Sequence, residues 1–335
     1  MRKNKLKFAF KAASLCAVAS SCFLLESLFI QKSFAQEVDT SNSSVYQKQA
    51  GVSGTISSVG SDTLSGIMTL WSQEFQRIYP NVNMQVQAAG SSSAPTALTE
   101  GTSQLGPMSR AMKVKEIEAF ERQYGYPPTQ LKVAVDAIGI FVHTDNPIAG
   151  LNFEQIDAIF SSTLQCGANQ PLKNWQQLGL KSEWAKLGFQ LFGRNSVSGT
   201  YGYFKQYALC GGDFKKDVNE QPGSASVVQS VASSVNSIGY SGVGYQVSKA
   251  RLLPIAKDGE NYVAPTQDNI MQGKYPLARY LYIYVNKNPD KPLSKVQSEF
   301  IKFIYSNQGQ MLVEKEGYIS IPAKFAKGEL EKVGL

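Results

Sequence analysis

Hydrophobic and polar positions along this chain switch repeatedly between two periods. Thr55-Ile56-Ser57-Ser58-Val59 reads as a short strand and Gly60-Ser61-Asp62-Thr63 as a turn. Leu64, Ile67, Met68, Trp71, Phe75 and Ile78 then fall at helical spacing before Pro80. Residues 82–87 alternate like a strand and run into Gly90-Ser91-Ser92-Ser93-Ala94-Pro95, with a short helix through Ala97 and Leu98 behind them. Gln104-Leu105-Gly106 leads to Pro107-Met108-Ser109-Arg110 and a helix over 114–124. Further on, the apolar run 189–192 precedes Gly193-Arg194-Asn195-Ser196-Val197-Ser198-Gly199-Thr200, after which Tyr203, Phe204, Tyr207 and Ala208 resume helical spacing. Four times a strand gives way to a polar, small-residue turn that opens a helix. Such alternation predicts α/β lobes with parallel strands. The carboxyl ends of those strands line a ligand crevice.

The remaining pattern supplies the connections. Residues 131–143 are apolar and extended, long enough to cross between lobes, and the aromatic-rich strand 279–285 crosses back. Helices are expected at 153–160, 225–235 and 293–306, with a short strand at 238–241. Residues 161–188 are irregular. Residues 36–50 are Ser/Gln-rich without periodicity and read as a loose tether.

The first 35 residues change the charge argument. Arg2, Lys3, Lys5, Lys7 and Lys11 precede a small-residue apolar stretch, and Ser33-Phe34-Ala35 fits the small-x-small rule for export cleavage near Ala35. The alternative reading is an uncleaved anchor, since the apolar stretch is long and carries Glu26. The whole chain has a net charge of +7, but six of its basic residues and one acid lie in residues 1–35. What remains is close to neutral, which gives no ground for a nucleic-acid partner. Past residue 35 two cysteines are left, Cys166 and Cys210. In an oxidising compartment they fit one disulfide, which would stabilise by about 3–4 kcal/mol; the alternative is two buried thiols.

The four turns share one chemistry. Helix N-termini present unpaired N–H groups and the positive end of the helix dipole. Gly199 permits close approach of an oxyanion to the backbone. Ser198 and Thr200 add hydroxyl donors, and Arg194 adds a charged fork. Brought to one cleft, Ser61/Thr63, Ser91/Ser92, Ser109/Arg110 and Arg194/Ser198/Thr200 would form a donor-rich, dehydrated site for a small oxyanion. Nothing in the pattern supports catalysis or a cofactor. His143 is the single histidine and sits at a strand end without a nucleophile pattern. No metal-ligand spacing or phosphate-loop lysine accompanies the glycine-rich turns.

Gly60 through Leu64, Gly90-Ser91-Ser92, Gly106 through Arg110 and Arg194 through Phe204, in that order, resemble the phosphate-binding protein of the high-affinity phosphate ABC transporter. Ile238-Gly239-Tyr240 and Glu316-Gly317-Tyr318-Ile319 are similar in character, so the resemblance spans about residues 51–322. It implies a two-lobed, type II Venus-flytrap α/β fold, each lobe a mixed sheet flanked by helices. Lobe I would hold 51–136 and 254–335, and lobe II 137–253. A monomeric extracytoplasmic receptor would bury inorganic phosphate between the lobes and hand it to permease subunits in the inner membrane. By the same resemblance Thr63, the Leu64 N–H and Ser91 donate from lobe I, and Arg194, Ser198, the Gly199 N–H and Thr200 from lobe II. Ser61, Asp62, Ser92, Ser109 and Arg110 complete the candidate set.

Two departures qualify that set. Arg110 stands where some relatives carry an Asp that accepts phosphate's proton, and Ser196 stands where some carry the acid paired with the second-lobe arginine. Discrimination against fully ionised sulfate needs an acceptor facing the ligand. Asp62 is the nearest candidate, and its alternative role is helix N-cap. The competing functions are a receptor for another tetrahedral oxyanion, a secreted phosphatase on the same scaffold, and a scavenging or adhesion protein without a permease.

Overall fold

A computed structural model describes residues 45–335, and the structural statements below concern those residues. The expected leader, 1–35, and most of the expected tether lie outside them. From Tyr46 onward the chain is tied down. The Tyr46 N–H donates to Gln308 Oε1 at 2.8 Å, and its hydroxyl lies 2.7 Å from both Tyr79 Oη and Glu299 Oε2. Tyr46 to Ala50, expected to be part of the loose tether, are therefore held to the fold, because Tyr46 bonds through both its backbone and its hydroxyl.

Strand and helix alternate as the periodicity predicts. The first half comprises β1 (Gly54–Gly60), α1 (Ser65–Ile78), β2 (Val82–Ala88), a 3₁₀ turn (Ser91–Ser93) running into α2 (Ala94–Thr99), β3 (Leu105–Met108) and α3 (Val114–Tyr124). Then come β4 (Thr129–His143), β5 (Leu151–Asn152), α4 (Phe153–Phe160), β6 (Gln190–Arg194), α5 (Gly199–Tyr207), β7 (Asn219–Gln221), α6 (Ser224–Ala232), β8 (Ser237–Gly242), β9 (Ala250–Leu253) and β10 (Ile255–Ala256). The chain closes with α7 (Gln267–Met271), β11 (Ala278–Val285), α8 (Lys295–Tyr305), α9 (Asn307–Lys315) and α10 (Ala323–Glu331).

The strands join in the order β2-β1-β3-β11-β4-β8-β6-β7, with β9 also on β4. Pairing is parallel among β1, β2 and β3 and among β6, β7 and β8, so each set turns its carboxyl ends one way. β11 runs antiparallel between β3 and β4, which makes the arrangement mixed rather than purely parallel. β4 is the crossing strand. Its residues 129–137 pair with β11 and its residues 138–143 with β8 and β9.

Two cores flank that crossing. The first packs Ile56, Ile67, Trp71 and Phe75 against Leu131 and Val133 of β4, Leu281 and Ile283 of β11, and Phe300 and Phe303 of α8. The Trp71 indole N–H, fully buried, finds the Gly309 carbonyl at 2.8 Å, as a buried polar handle requires. The second core packs Ile138, Ile140 and Val142 against Phe160, Leu191, Phe204, Ile238 and Tyr240. Ile255, Ile270, Tyr275 and Leu277 also belong to this second core. The return crossing thus lies at β11, not at the expected residue 254, because α7 buries its apolar face on the second lobe. Cys166 and Cys210 are bonded, with Cα atoms 5.3 Å apart, tying the loop after α4 to the end of α5.

Candidate functional site

Three helical N-termini meet where the parallel strands end. Thr63 follows β1 and leads into α1, Ser91 opens the 3₁₀ turn after β2, and Ser198 caps α5 after β6. Thr63 Oγ1 lies 3.1 Å from Thr200 Oγ1, and Ser91 Oγ lies 3.2 Å from Ser109 Oγ. The first of these contacts joins residues 137 positions apart, one from each lobe. Gly199 faces the serine pair so closely that a β-carbon there would fall 2.3 Å from Ser91 Oγ and 2.5 Å from Ser109 Oγ. Only glycine admits that approach. On the neighbouring edge the Ser92 N–H donates to the Val197 carbonyl at 3.1 Å, binding the second turn to the fourth. Ser61, Thr63, Leu64, Ser91, Ser109, Ser198, Gly199 and Thr200 are all buried.

Three hydroxyls in this cluster accept from a backbone N–H. Ser61 Oγ accepts the Thr63 N–H at 3.2 Å, Ser91 Oγ the Ser109 N–H at 3.0 Å and Ser198 Oγ the Thr200 N–H at 3.1 Å. With a lone pair so engaged, each keeps its proton to donate. Helix dipoles add positive potential at the same point. The arrangement is a cage of donors assembled from both lobes. A cleft of about 640 Å³ opens beside it, lined by Ser92, Arg110, Ser198, Tyr203, Arg279 and Tyr280 among others.

Arg194 ends β6 fully buried and is held on every side. Its backbone N–H donates to Tyr240 Oη at 3.1 Å, and Tyr240 stacks on Phe204 of α5 with centroids 3.9 Å apart. Its side chain donates to Ser224 Oγ at 3.0 Å, the Pro222 carbonyl at 2.8 Å and the Gln221 carbonyl at 3.3 Å, and forms an ion pair with Asp62. That pair crosses from one lobe to the other. It also rules out the alternative role of Asp62 as helix N-cap. Leu64 occupies the N-cap of α1 with no side-chain cap, and the carboxylate turns instead to Arg194. Asp62 thereby takes the place of the acid that Ser196 does not supply.

Arg110 is directed differently. Glu116 receives its guanidinium at 2.8 and 2.7 Å, the Ala111 carbonyl at 2.9 Å, and Ser92 Oγ lies at 3.4 Å. Burial works to raise the Glu116 carboxyl, but Arg110 and the Lys113 N–H outweigh it and hold the group below its ordinary value. The positive charge of Arg110 is therefore matched locally, at the rim of the cleft. His143 is nearly buried at the end of β4, where its Nδ1 accepts the Asp145 N–H at 3.2 Å. It stands apart from the cage.

Four residues join the cage that the turn motifs do not indicate. Arg279, on β11, donates to Asp136 Oδ2 through Nε at 3.0 Å and Nη2 at 2.8 Å. The same guanidinium donates to Thr200 Oγ1 and to the Ser109 carbonyl, each at 3.0 Å. Asp136 and Arg279 are direct register partners where β4 changes lobes. Burial pushes the Asp136 carboxyl up, against the opposing pull of Arg279. Tyr245 and Tyr318 both donate to the Thr63 carbonyl, at 3.0 and 2.5 Å, and fix the first turn from below. The available signal was a charge interrupting the apolar run of β4 and another opening an aromatic strand.

Comparison with known proteins agrees with this architecture. The PBP superfamily domain matches residues 46–308. The chain is 59% identical over 291 residues to the phosphate-binding protein PstS of Pseudomonas aeruginosa, covering 87% of this chain and 90% of that protein. It is 27% identical over 326 residues to protein SphX of Synechococcus elongatus, covering 96% and 88%. Among solved structures, an ABC-type phosphate transport receptor from Vibrio cholerae superposes with a TM-score of 0.63 at 21% identity, over 79% of this chain and all of that one.

Proposed function

For a chain that belongs to the PBP superfamily, and within it to the phosphate-binding proteins, we propose an extracytoplasmic receptor that binds inorganic phosphate between its lobes and delivers it to an ABC importer. The observation that carries this reading is the meeting of Thr63 and Thr200 across the lobes, inside a buried cluster of hydroxyl donors and helix N-termini. Ser61, Thr63, the Leu64 N–H, Ser91 and Ser109 contribute from lobe I, and Ser198, the Gly199 N–H and Thr200 from lobe II. Arg194 supplies charge and, through Asp62, holds the lobes together. Arg110 and Ser92 stand at the rim. Lobe I comprises the chain up to the middle of β4 and again from β11 onward; lobe II is the segment between.

Capture and release follow from the geometry. A tetrahedral anion bridging Thr63 and Ser91 to Ser198 and Thr200 gains its full set of donors only when the lobes close. Its binding energy thus favours the closed state, and a permease can read that state. The relative at 59% identity is a phosphate-binding protein, and the reading assigns the cage to binding rather than to chemistry on the ligand. Residues 1–35 act as the export signal, which is consistent with the disulfide between Cys166 and Cys210.

The test is calorimetric titration of protein stripped of bound anion, with phosphate and then sulfate. Tight phosphate binding at one site per chain is expected. Absence of phosphate binding would remove the reading. Loss of phosphate uptake on deletion, restored by the intact gene, separates an importer component from a scavenging protein.

A further inference from the structure

One peptide group in the first turn is held from both lobes. Thr63 is fully buried, and its carbonyl accepts two hydroxyls at once, from Tyr245 at 3.0 Å and from Tyr318 at 2.5 Å; the two phenolic oxygens lie 3.1 Å apart. Burial pushes both phenols up, so each keeps its proton to donate. The same peptide supplies the Leu64 N–H, which has no acceptor among the described residues. A trans peptide points its carbonyl and its N–H in opposite directions. With the carbonyl fixed on the tyrosines, the N–H is aimed away from them, out of the N-terminus of α1, where Thr63 Oγ1 meets Thr200 Oγ1. Tyr318 follows α9 in lobe I. Tyr245 lies 73 positions away, in the turn between β8 and β9 of lobe II. Its ring packs against the first core and against the cluster of Phe141, Phe192 and Val227 in lobe II. Glycine lets the two segments meet, since a β-carbon on Gly244 would fall 2.9 Å from the Gly317 carbonyl oxygen.

Resting on the phosphate-receptor reading, we infer that Tyr245 and Tyr318 are positioning residues for the ligand: they clamp the Thr63 carbonyl, set the direction of the Leu64 N–H, and make that donor answer to the second lobe. They act through the peptide rather than on the anion. A hydroxyl donated to the carbonyl polarises the whole peptide group, so each tyrosine also strengthens the N–H on its far side. Tyr318 belongs to the same lobe as Thr63, and its hold is present whether the lobes are open or closed. Tyr245 comes from the other lobe, and its share of the clamp forms on closure. The first turn thus presents its full donor only with lobe II seated. An anion that draws the lobes together gains a stronger hydrogen bond by doing so.

Titration with inorganic phosphate, read by calorimetry and by NMR of isotopically labelled leucine amides, tests this in wild-type protein, Tyr245→Phe and Tyr318→Phe. Phenylalanine keeps the ring and removes only the hydroxyl, and thermal unfolding establishes that each variant is folded. In wild type the Leu64 amide proton should move downfield as phosphate binds. In each variant that movement should shrink, and phosphate affinity should fall by about three- to ten-fold, the scale of one hydrogen bond. In Tyr245→Phe the loss should appear as faster phosphate release with association unchanged, because the missing bond forms on closure. A variant with wild-type affinity and a wild-type Leu64 shift would overturn the inference. So would affinity lost with the Leu64 shift intact, the mark of general loosening. Either variant suffices for these two outcomes if the other does not fold. A Leu64 amide that ignores bound phosphate in wild type would overturn the inference and leave the receptor reading standing. Wild-type protein that binds no phosphate would overturn the receptor reading itself.

Discussion

Two buried arginine–aspartate pairs border the cage, and they hold it in different ways. Arg194 and Asp62 come from opposite lobes, 132 positions apart, and Asp62 retains some contact with solvent. Arg279 and Asp136 are register partners on adjacent strands, with side chains almost wholly excluded from water. The first pair exists only when the lobes meet, so its energy belongs to closure. The second is built into the sheet where β4 and β11 pass between lobes, so its energy belongs to folding. A charge at a moving interface can report ligand capture. A charge locked in the crossing strands cannot move, but it can shape what the ligand meets.

The comparison predicts different consequences for the two arginines. Arg279→Met should destabilise the ligand-free protein most, by about 3–5 kcal/mol, because it strands Asp136 as an unpaired buried charge. Thermal or denaturant unfolding measures this. Burial already holds the Asp136 carboxyl above its ordinary value, which favours the protonated folded form. Stability is then lost as pH rises through the raised value, so the deficit of the variant should shrink on acidification. A variant as stable as wild type would show that the second pair is not structural.

Arg194→Ala should act on binding rather than folding, weakening phosphate by about 2–5 kcal/mol while unfolding of the ligand-free protein changes less. Calorimetry separates the two quantities. Equal losses in both would erase the distinction between a closing pair and a folding pair. Asp62→Asn should cost less, about 1.5–3 kcal/mol of phosphate affinity, as expected for one charge-assisted hydrogen bond across the lobes.

The smallest effect belongs to the third pair, Arg110 with Glu116, at the cleft rim. Glu116 is held below its ordinary value of 4.5, so its contribution is complete above that value and lost as pH falls through the depressed one. Glu116→Gln should cost about 1 kcal/mol or less near neutrality, and the difference from wild type should close on acidification. A gap that widens in acid would contradict the sign of the shift.

The elements were legible because they follow local rules. The helix over 114–124 is read at its observed bounds, since Glu116 reaches back to the Lys113 N–H and Gly125 takes the left-handed C-terminal position. The four turns were equally legible as strand-to-helix passages. The partner of Asp62 was not legible, because the sequence shows its neighbours along the chain and not Arg194 across the cleft. The packing of segment 254–277 on the second core was not legible, because its apolar face says that it packs, not on what.

By itself the sequence determined the alternation of strands and helices, the donor chemistry of the four turns, and the glycines that let backbone approach a ligand. These depend on periodicity, caps and residue type over a few positions. Only the tertiary structure decided which charges meet. Arg279 and Asp136, separated by 143 positions, become partners because β4 and β11 pair in register; Arg194 and Asp62 do so because two lobes close. Burial then gives those contacts their weight, since a charge removed from water must be matched by whatever the fold brings beside it.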